Sequence, residues 1–182
     1  MADIRSRLVA QIPRLRRYAR ALTRDITAAD DLVHDCLVRA VSKSHLWQEG
    51  TDLRAWLFTI LHNTYINQVR RSVREGTAVA LSDIEPEAAL TSAPNQDKRL
   101  ELRDLERALA KLPEEQRSAL LLVGTEGMNY DQAAAVLDVP VGTIRSRLSR
   151  GREALRQLMG GGTEQEETGF DARGPGLRRR VA

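Results

Sequence analysis

The stretch VPVGTIRSRLSRGREALRQLM, residues 139–159, combines an apolar stripe with a strongly basic one. The apolar residues recur at helical spacing, which predicts a helix packed on a neighbour, with Gly151 at the point of close approach. Five arginines stand against the single acid Glu153. A solvated helix usually interleaves acids and bases for local pairing, so this composition favours a nucleic-acid surface. The predicted inner face is Ile144, Leu148, Leu155 and Met159, and the outer stripe is Arg145, Ser149, Arg152 and Arg156.

The residues just before this helix strengthen that interpretation. Asn129 is placed to cap a short helix, YDQAAAVL, that stops before the turn Asp138-Val139-Pro140. A short helix, a tight turn and a basic second helix are typical of a helix-turn-helix, whose second helix enters the major groove. Arginine suits that position because its planar guanidinium can form two parallel hydrogen bonds with guanine and because its charge displaces counterions from phosphate. A plain surface helix remains the alternative.

The rest of the chain predicts an all-α fold. Strand patterns are nearly absent and aromatic residues make up 4% of the chain. A stripe from Ile4 to Leu22 predicts a first helix in which Pro13 begins a new helix or kinks a long one. Further helices are predicted at about 27–42 (capped by Thr27), 52–74, 102–112 and 114–123. The predicted inward residues are Leu32, Val33, Cys36, Leu37, Ala40 and Val41, then Leu53, Trp56, Leu57, Ile60 and Thr64, whereas His62 is placed among the outward residues.

Helical periodicity fades after Arg74 and returns near residue 100, so two small helical domains are predicted. The intervening segment contains two prolines, and residues 76–97 hold four acids and no lysine or arginine, whereas residues 4–24 hold seven arginines and no acid. Such a segment is typical of a flexible linker. The predicted organisation is domain 1–74, acidic linker 75–98, domain 99–159 and disordered tail 160–182.

Several functional classes are disfavoured by composition. The single Cys36 permits no internal disulfide and suggests a reducing, cytoplasmic setting. Three scattered histidines without clustered acids offer no acid–base or metal constellation. No apolar run approaches the length of a membrane span. We therefore expect no catalytic residues, no cofactor, no metal and no membrane insertion.

Four segments carry a family resemblance. GMNYDQAAAVLDVPVGTIRSRLSRGREAL resembles the C-terminal promoter-reading domain of extracytoplasmic-function (ECF) sigma factors, and KLPEEQRSALLL resembles the start of that domain. DITAADDLVHDCLVRAVSK is similar to the family's polymerase-binding helix, and LRAWLFTILHNTYINQVRR to the helix that captures the −10 element. The resemblance spans about residues 5–158, in the family's order.

The resemblance implies a protein that guides core RNA polymerase to promoters and is commonly held inactive by an anti-sigma factor. In its second domain Thr143 and Arg147 would contact phosphate, although Arg147 is as well suited to pairing with an acid of its own domain. The implied −35 contacts are Thr143, Arg145, Ser146, Arg147, Ser149 and Arg150, the −10 contacts are Asn63, Asn67, Arg70 and Arg71, and the contacts to the clamp helices of the polymerase β′ subunit are Asp31, His34, Asp35 and Val38.

Two details qualify the resemblance in the first domain. Many relatives have glutamine and glutamate where this chain has His34 and Asp35. The loop from His45 to Asp52 is expected to shape the base pocket, with Trp47 either stacking on a nucleotide or packing in the core. We favour the core for Trp47, and more strongly for Trp56.

Two other functions compete with a sigma factor. A generic helix-turn-helix regulator needs a dimer surface or a sensing domain, for which little chain length is left. A decoy that keeps the sigma fold only to bind an anti-sigma factor is expected to lose its basic reading residues, yet Asn63, Arg70, Arg145 and Arg150 are present.

Overall fold

The computed structural model describes residues 2–48, 50–76 and 96–160, with side chains described for 6–48, 50–76 and 100–160. Over these ranges the regular structure is helical throughout, which confirms the all-α prediction. Most of the predicted linker and tail lies outside the described residues. The helices are α1 (Ala2–Thr23), α2 (Ile26–Ser42), α3 (Leu53–Arg74), α4 (Gln96–Lys111), α5 (Glu114–Leu120), α6 (Tyr130–Leu137) and α7 (Val141–Leu158), with a 3₁₀ turn at Ser44–Leu46 and a π-helical turn at Leu121–Thr125.

Helices α1 to α3 form one bundle around an apolar core. α1 continues through Pro13 as one helix, so the alternative of a new helix beginning there is wrong. α2 begins one residue earlier than predicted because Asp25, rather than Thr27, caps it by accepting from the backbone N–H of Ala28. Val41 is exposed rather than inward, since it lies in the last turn of α2, beyond the reach of its neighbours. The fully buried large side chains of this bundle are Leu15, Tyr18, Leu22, Leu32, Leu57, Phe58 and Leu61.

The start of α3 agrees with the prediction, but one of its faces does not. Asp52 caps the helix by accepting from the backbone N–H groups of Arg54 and Ala55. Leu53, Leu57 and Thr64 are buried as predicted, whereas Trp56 and Ile60 are only partly buried against the core. His62, expected on the outside, is 8% exposed.

Helices α4 to α7 form the second bundle, in which α6 and α7 make the predicted helix-turn-helix. α4 begins at Gln96, several residues before the predicted start. Asn129 caps α6 through a reciprocal pair of bonds with Gln132, and Asp138 ends it in the left-handed region at φ 52°. Ile144 and Leu148 are buried. Leu155 is only partly buried and Met159 is 49% exposed, because the predicted inner face loses its neighbours toward the end of α7.

Gly151 sets how closely α7 approaches α5. A Cβ atom at this position would lie 2.7 Å from Cδ1 of Leu120 and 3.4 Å from Cβ of Gln116. The prediction that this glycine marks a close approach is confirmed.

Substituting Gly151 tests this packing. We expect Gly151→Leu to lower the free energy of unfolding by about 1 to 2 kcal/mol, because the cost of overpacking exceeds the gain in helix propensity. Gly142→Leu is the matched control in the same helix, since a Cβ there meets no atom within 4 Å. Urea unfolding of both variants is the measurement, and equal stabilities would contradict the close approach.

The two bundles pack against each other. Their buried apolar residues form one continuous cluster, in which α3 contacts α6 and α1 contacts α5. Polar contacts cross the same boundary, including a hydrogen bond of 2.6 Å from the side-chain amide of Gln132 to the Asp52 carboxylate. Within the described ranges no helix has the length and hydropathy needed to cross a membrane.

Candidate nucleic-acid and polymerase interfaces

The outer face of α7 presents a basic stripe near the start of the helix. Arg145, Ser146, Ser149 and Arg150 are exposed, and among the described residues neither arginine makes an ion pair. The Ser146 hydroxyl donates to the carbonyl of Thr143 at 2.9 Å, which secures the first turn. Guanidinium groups without an internal partner keep all their donors for a ligand. This face can therefore bond base edges and phosphate.

Arg147 differs from the other arginines of α7. Its Nη2 lies 3.2 Å from Oε2 of Glu115 on α5, and its side chain is only 19% exposed. Of the two alternatives for Arg147, the structure thus contains the pairing with an acid of its own bundle. Further along, Arg156 pairs with Glu153 at 2.7 Å on the surface, whereas Arg152 is exposed.

A second polar and basic face runs along α3. Asn63, Asn67 and Arg70 are exposed at helical spacing, so their side chains project from one side. Arg71 is also exposed, and its Nε donates to the Glu75 carboxylate at 2.7 Å. Exposed amides beside guanidinium groups are suited to an opened nucleic-acid strand, because amides pair with base edges and cations follow the backbone.

His62 lies beside Asn63 in sequence but points into the protein. The hydroxyl of Tyr18 lies 3.3 Å from its Nδ1, at hydrogen-bonding distance. Burial, together with the positive charge of Arg147, lowers the pKa of His62 to about 4, so the imidazole is neutral near pH 7. The periodicity of α3 alone placed His62 outward. That expectation is wrong because the helix packs on more than one side.

A third candidate interface lies on α2. Asp31, His34 and Val38 are exposed, and Val38 is 54% exposed, which is high for an aliphatic side chain. Asp35 is partly buried and accepts a hydrogen bond of 3.3 Å from the side-chain amide of Gln68 on α3. The sequence-predicted polymerase contacts therefore share one face, with Asp35 held at its edge.

The loop before α3 carries Trp47. Its ring is partly buried against the core and is covered by the guanidinium of Arg7, whose Cζ lies 4.9 Å from the ring centroid. Trp56 is also packed against the core. Both rings therefore lie against the core, as the sequence favoured, and both are only partly buried.

Besides the buried guanidinium of Arg117, sequence reasoning missed a buried carboxylate, that of Glu126. Its side chain is 1% exposed and pairs with Arg17 of α1 across 109 positions of sequence. A glutamate that follows an apolar run and precedes a glycine is typical of the exposed end of a helix. The local sequence therefore gave no indication that Glu126 is buried. Across the described part of the chain, no group of three or more His, Cys, Asp or Glu side chains is arranged to hold a metal ion.

Comparison with known proteins decides the family. Residues 102–155 match the family model for region 4 of sigma-70, and residues 8–62 match that for the sigma2 domain of PhyR. The ECF RNA polymerase sigma factor EcfG of Rhodopseudomonas palustris is 41% identical over 157 residues, which are 86% of this chain and 85% of EcfG. The chain belongs to the ECF sigma factor family.

Solved structures agree with that assignment. The sigma factor RpoE in its complex with the anti-sigma factor NepR from Bartonella quintana matches with a TM-score of 0.75 and 36% identity, covering 88% of this chain and 98% of RpoE. CnrH, in complex with the cytosolic domain of CnrY, matches with a TM-score of 0.63 and 25% identity, covering 87% of this chain and 88% of CnrH. The fold described above is thus that of an ECF sigma factor.

Proposed function

We propose that this ECF sigma factor binds core RNA polymerase through α2 and places two separate reading surfaces on a promoter. The observation that carries the proposal is the coexistence of two exposed basic faces on two different bundles, one on α7 and one on α3. Duplex recognition suits α7 as the second helix of a helix-turn-helix. Capture of an opened strand suits α3, with its exposed amides and arginines.

In this proposal each surface has a defined set of residues. Arg145, Ser146, Ser149 and Arg150 contact the −35 element, with Thr143 and Arg147 beside the phosphates, which Arg147 can reach only by leaving Glu115. Asn63 holds a base of the opened −10 strand, whereas Asn67, Arg70 and Arg71 follow its backbone. Asp31, His34, Asp35 and Val38 face the clamp helices of the β′ subunit. The corresponding parts of the chain are the domain 1–74, the linker 75–98, the domain 99–159 and the tail 160–182.

We further propose control by an anti-sigma factor and action in the cytoplasm, where the polymerase works, without a catalytic activity of its own. Support comes from the relatives RpoE and CnrH, whose structures are complexes with NepR and with CnrY. The decoy alternative is less well supported, because exposed Arg145, Arg150 and Asn63 have no role in a protein that only binds an anti-sigma factor.

Polymerase binding is tested by an exposed valine on α2. We expect Val38→Asp to weaken binding to core RNA polymerase about tenfold, because the interface would bury a carboxylate without a partner. Val9→Asp is the matched control, since Val9 is 62% exposed and lies on α1, outside the proposed face. Fluorescence anisotropy of the labelled chains, titrated with core enzyme, measures both. Equal affinities for the two variants would exclude Val38 from the interface.

A further inference from the structure

The contact between the two bundles centres on a buried carboxylate. Glu126 follows the π-helical turn after α5, and its Oε1 accepts from Nη2 of Arg17 at 2.7 Å and from Nε at 3.0 Å. Nη1 of Arg54 donates to the backbone carbonyl of Glu126 at 2.9 Å. Both arginines belong to the α1–α3 bundle, so two separate groups of that bundle hold one residue of the other.

Because Glu126 is buried, its carboxylate depends on the guanidinium of Arg17 for charge compensation. An ionised carboxylate away from water is costly unless it is paired, and Oε2 of Glu126 is buried without a described hydrogen-bond partner. Arg17 is therefore the main compensation for this charge while the bundles stay together. Once they separate, water solvates Glu126 and Arg17 is no longer required. Loss of Arg17 is therefore expected to destabilise the packed arrangement and not the separated one.

Other polar groups add to the same interface. Arg117 on α5 is 4% exposed, and Ser118 beside it is 1% exposed. Burial and the charge of Glu114 raise the pKa of Tyr65 on α3, and the positive charges of Arg117 and Arg24 partly offset that rise. The charge of Arg117 on α5 thus acts on Tyr65 of α3, across the boundary between the two bundles.

The packed arrangement places the two proposed reading surfaces side by side. α3 contacts α6, the first helix of the helix-turn-helix, and the positive charge of Arg147 on α7 lowers the pKa of His62 on α3. His62 adjoins Asn63, and Arg147 adjoins Ser146. The −35 and −10 positions of a promoter are about 25 base pairs apart, which is roughly 85 Å of duplex. The packed form cannot occupy both elements at once.

We propose that Arg17 and Glu126 form an intramolecular clasp that holds the free chain closed, and that this clasp must release before the two bundles engage a promoter. That the closed form inhibits initiation rests on the proposed promoter function. That the two bundles are held together by Arg17 and Glu126 does not rest on it. The closed chain is then an autoinhibited state built from its own residues, before any partner binds.

The clasp is tested in the full chain by the distance between two labels. Ser42→Cys and Gln157→Cys place one exposed label on each bundle. Cys36 is buried and burial raises the pKa of its thiol to about 12, so it stays unlabelled. Double electron–electron resonance then gives the fractions of closed and separated molecules without polymerase or DNA.

We expect Arg17→Ala to shift the closed-to-separated ratio about tenfold toward separation, because it leaves the Glu126 carboxylate buried without its ion-pair partner. Arg17→Lys, which keeps a cation, should restore much of the closed fraction. Arg16→Ala is the control, since it removes the neighbouring arginine, whose partner Asp30 lies within the same bundle. A separated parent chain, or equal ratios in the Arg17→Ala and Arg16→Ala proteins, would overturn the clasp.

Initiation assays separate the clasp from the promoter function. With limiting sigma factor and core polymerase, Arg17→Ala should raise initiation several-fold over the parent chain. Separation of the bundles without such a gain would overturn the inhibitory role. If neither protein initiates at all, the promoter function has failed, and the label distances still decide whether the clasp exists.

Discussion

Replacing Arg145 with alanine is expected to weaken binding to the preferred −35 duplex by about 2 kcal/mol, roughly 30-fold in Kd. The guanidinium is exposed near the start of α7 and has no ion-pair partner among the described residues, so it is free to bond a base edge bidentately. Sequence preference should relax at one position of the element. Selection of bound duplexes from a randomised pool, followed by Kd measurements, reports both effects.

Arg152→Ala is the control for Arg145. It removes the same charge from the same helix, further from the end that enters the groove. This substitution should weaken binding to all duplex sequences by a similar factor, smaller than that expected for Arg145→Ala, and should lower the salt dependence of binding. If Arg145→Ala also weakens every sequence equally, Arg145 contacts only phosphate and the proposed reading role is lost.

Replacing Asn63 with alanine is expected to reduce promoter opening about 30-fold while leaving −35 binding unchanged. The exposed amide can donate to and accept from one base edge, and losing two such bonds removes about 2 kcal/mol. Permanganate reactivity of unpaired thymines measures opening by the polymerase holoenzyme. Unchanged reactivity would refute the pocket role.

Asn67→Ala is the amide control on the same face of α3. Because Asn67 is proposed to follow the strand backbone, its loss should weaken opening only slightly and at all sequences alike. A larger defect at Asn67 than at Asn63 would move the base pocket one turn along the helix.

Local patterns in the sequence were sufficient for the cap of α6, the turn and the close helix contact of the second bundle. Asn129 caps α6 and Gly151 lets α7 approach α5 because caps and close helix contacts depend on residue types at fixed spacing. The same holds for Asp52 at the start of α3. Helix-turn-helix geometry follows from such short-range rules, so the outer face of α7 was predictable residue by residue.

Contacts between distant segments were not predictable from periodicity. His62 was placed outward because α3 was assigned a single buried stripe, whereas the helix packs against α2 on one side and α6 on another. Glu126 was overlooked because its partner Arg17 is 109 positions away. The sequence could not decide whether Arg147 contacts phosphate or pairs with an acid, since only the fold brings Glu115 within 3.2 Å of its guanidinium. Burial of a residue by a second bundle does not alter the hydrophobic periodicity of the helix that carries the residue.

The closed arrangement also affects how the mutants are interpreted. The exposed Arg145 and Asn63 remain accessible in the packed form, so their loss acts on DNA contacts rather than on closure. Arg17 acts on closure and carries no proposed DNA contact. Comparing these three variants in one initiation assay therefore separates recognition from release.

Transcription by the purified chain with bacterial core RNA polymerase tests the central claim most directly. On a library of promoter fragments, sequencing of transcript 5′ ends shows where initiation occurs. We predict strong initiation at a fixed distance downstream of one shared pair of elements, near −35 and −10, and none there with core enzyme alone. Transcription no higher or more specific than that of core alone would contradict the assignment of this chain as a working promoter-specificity factor.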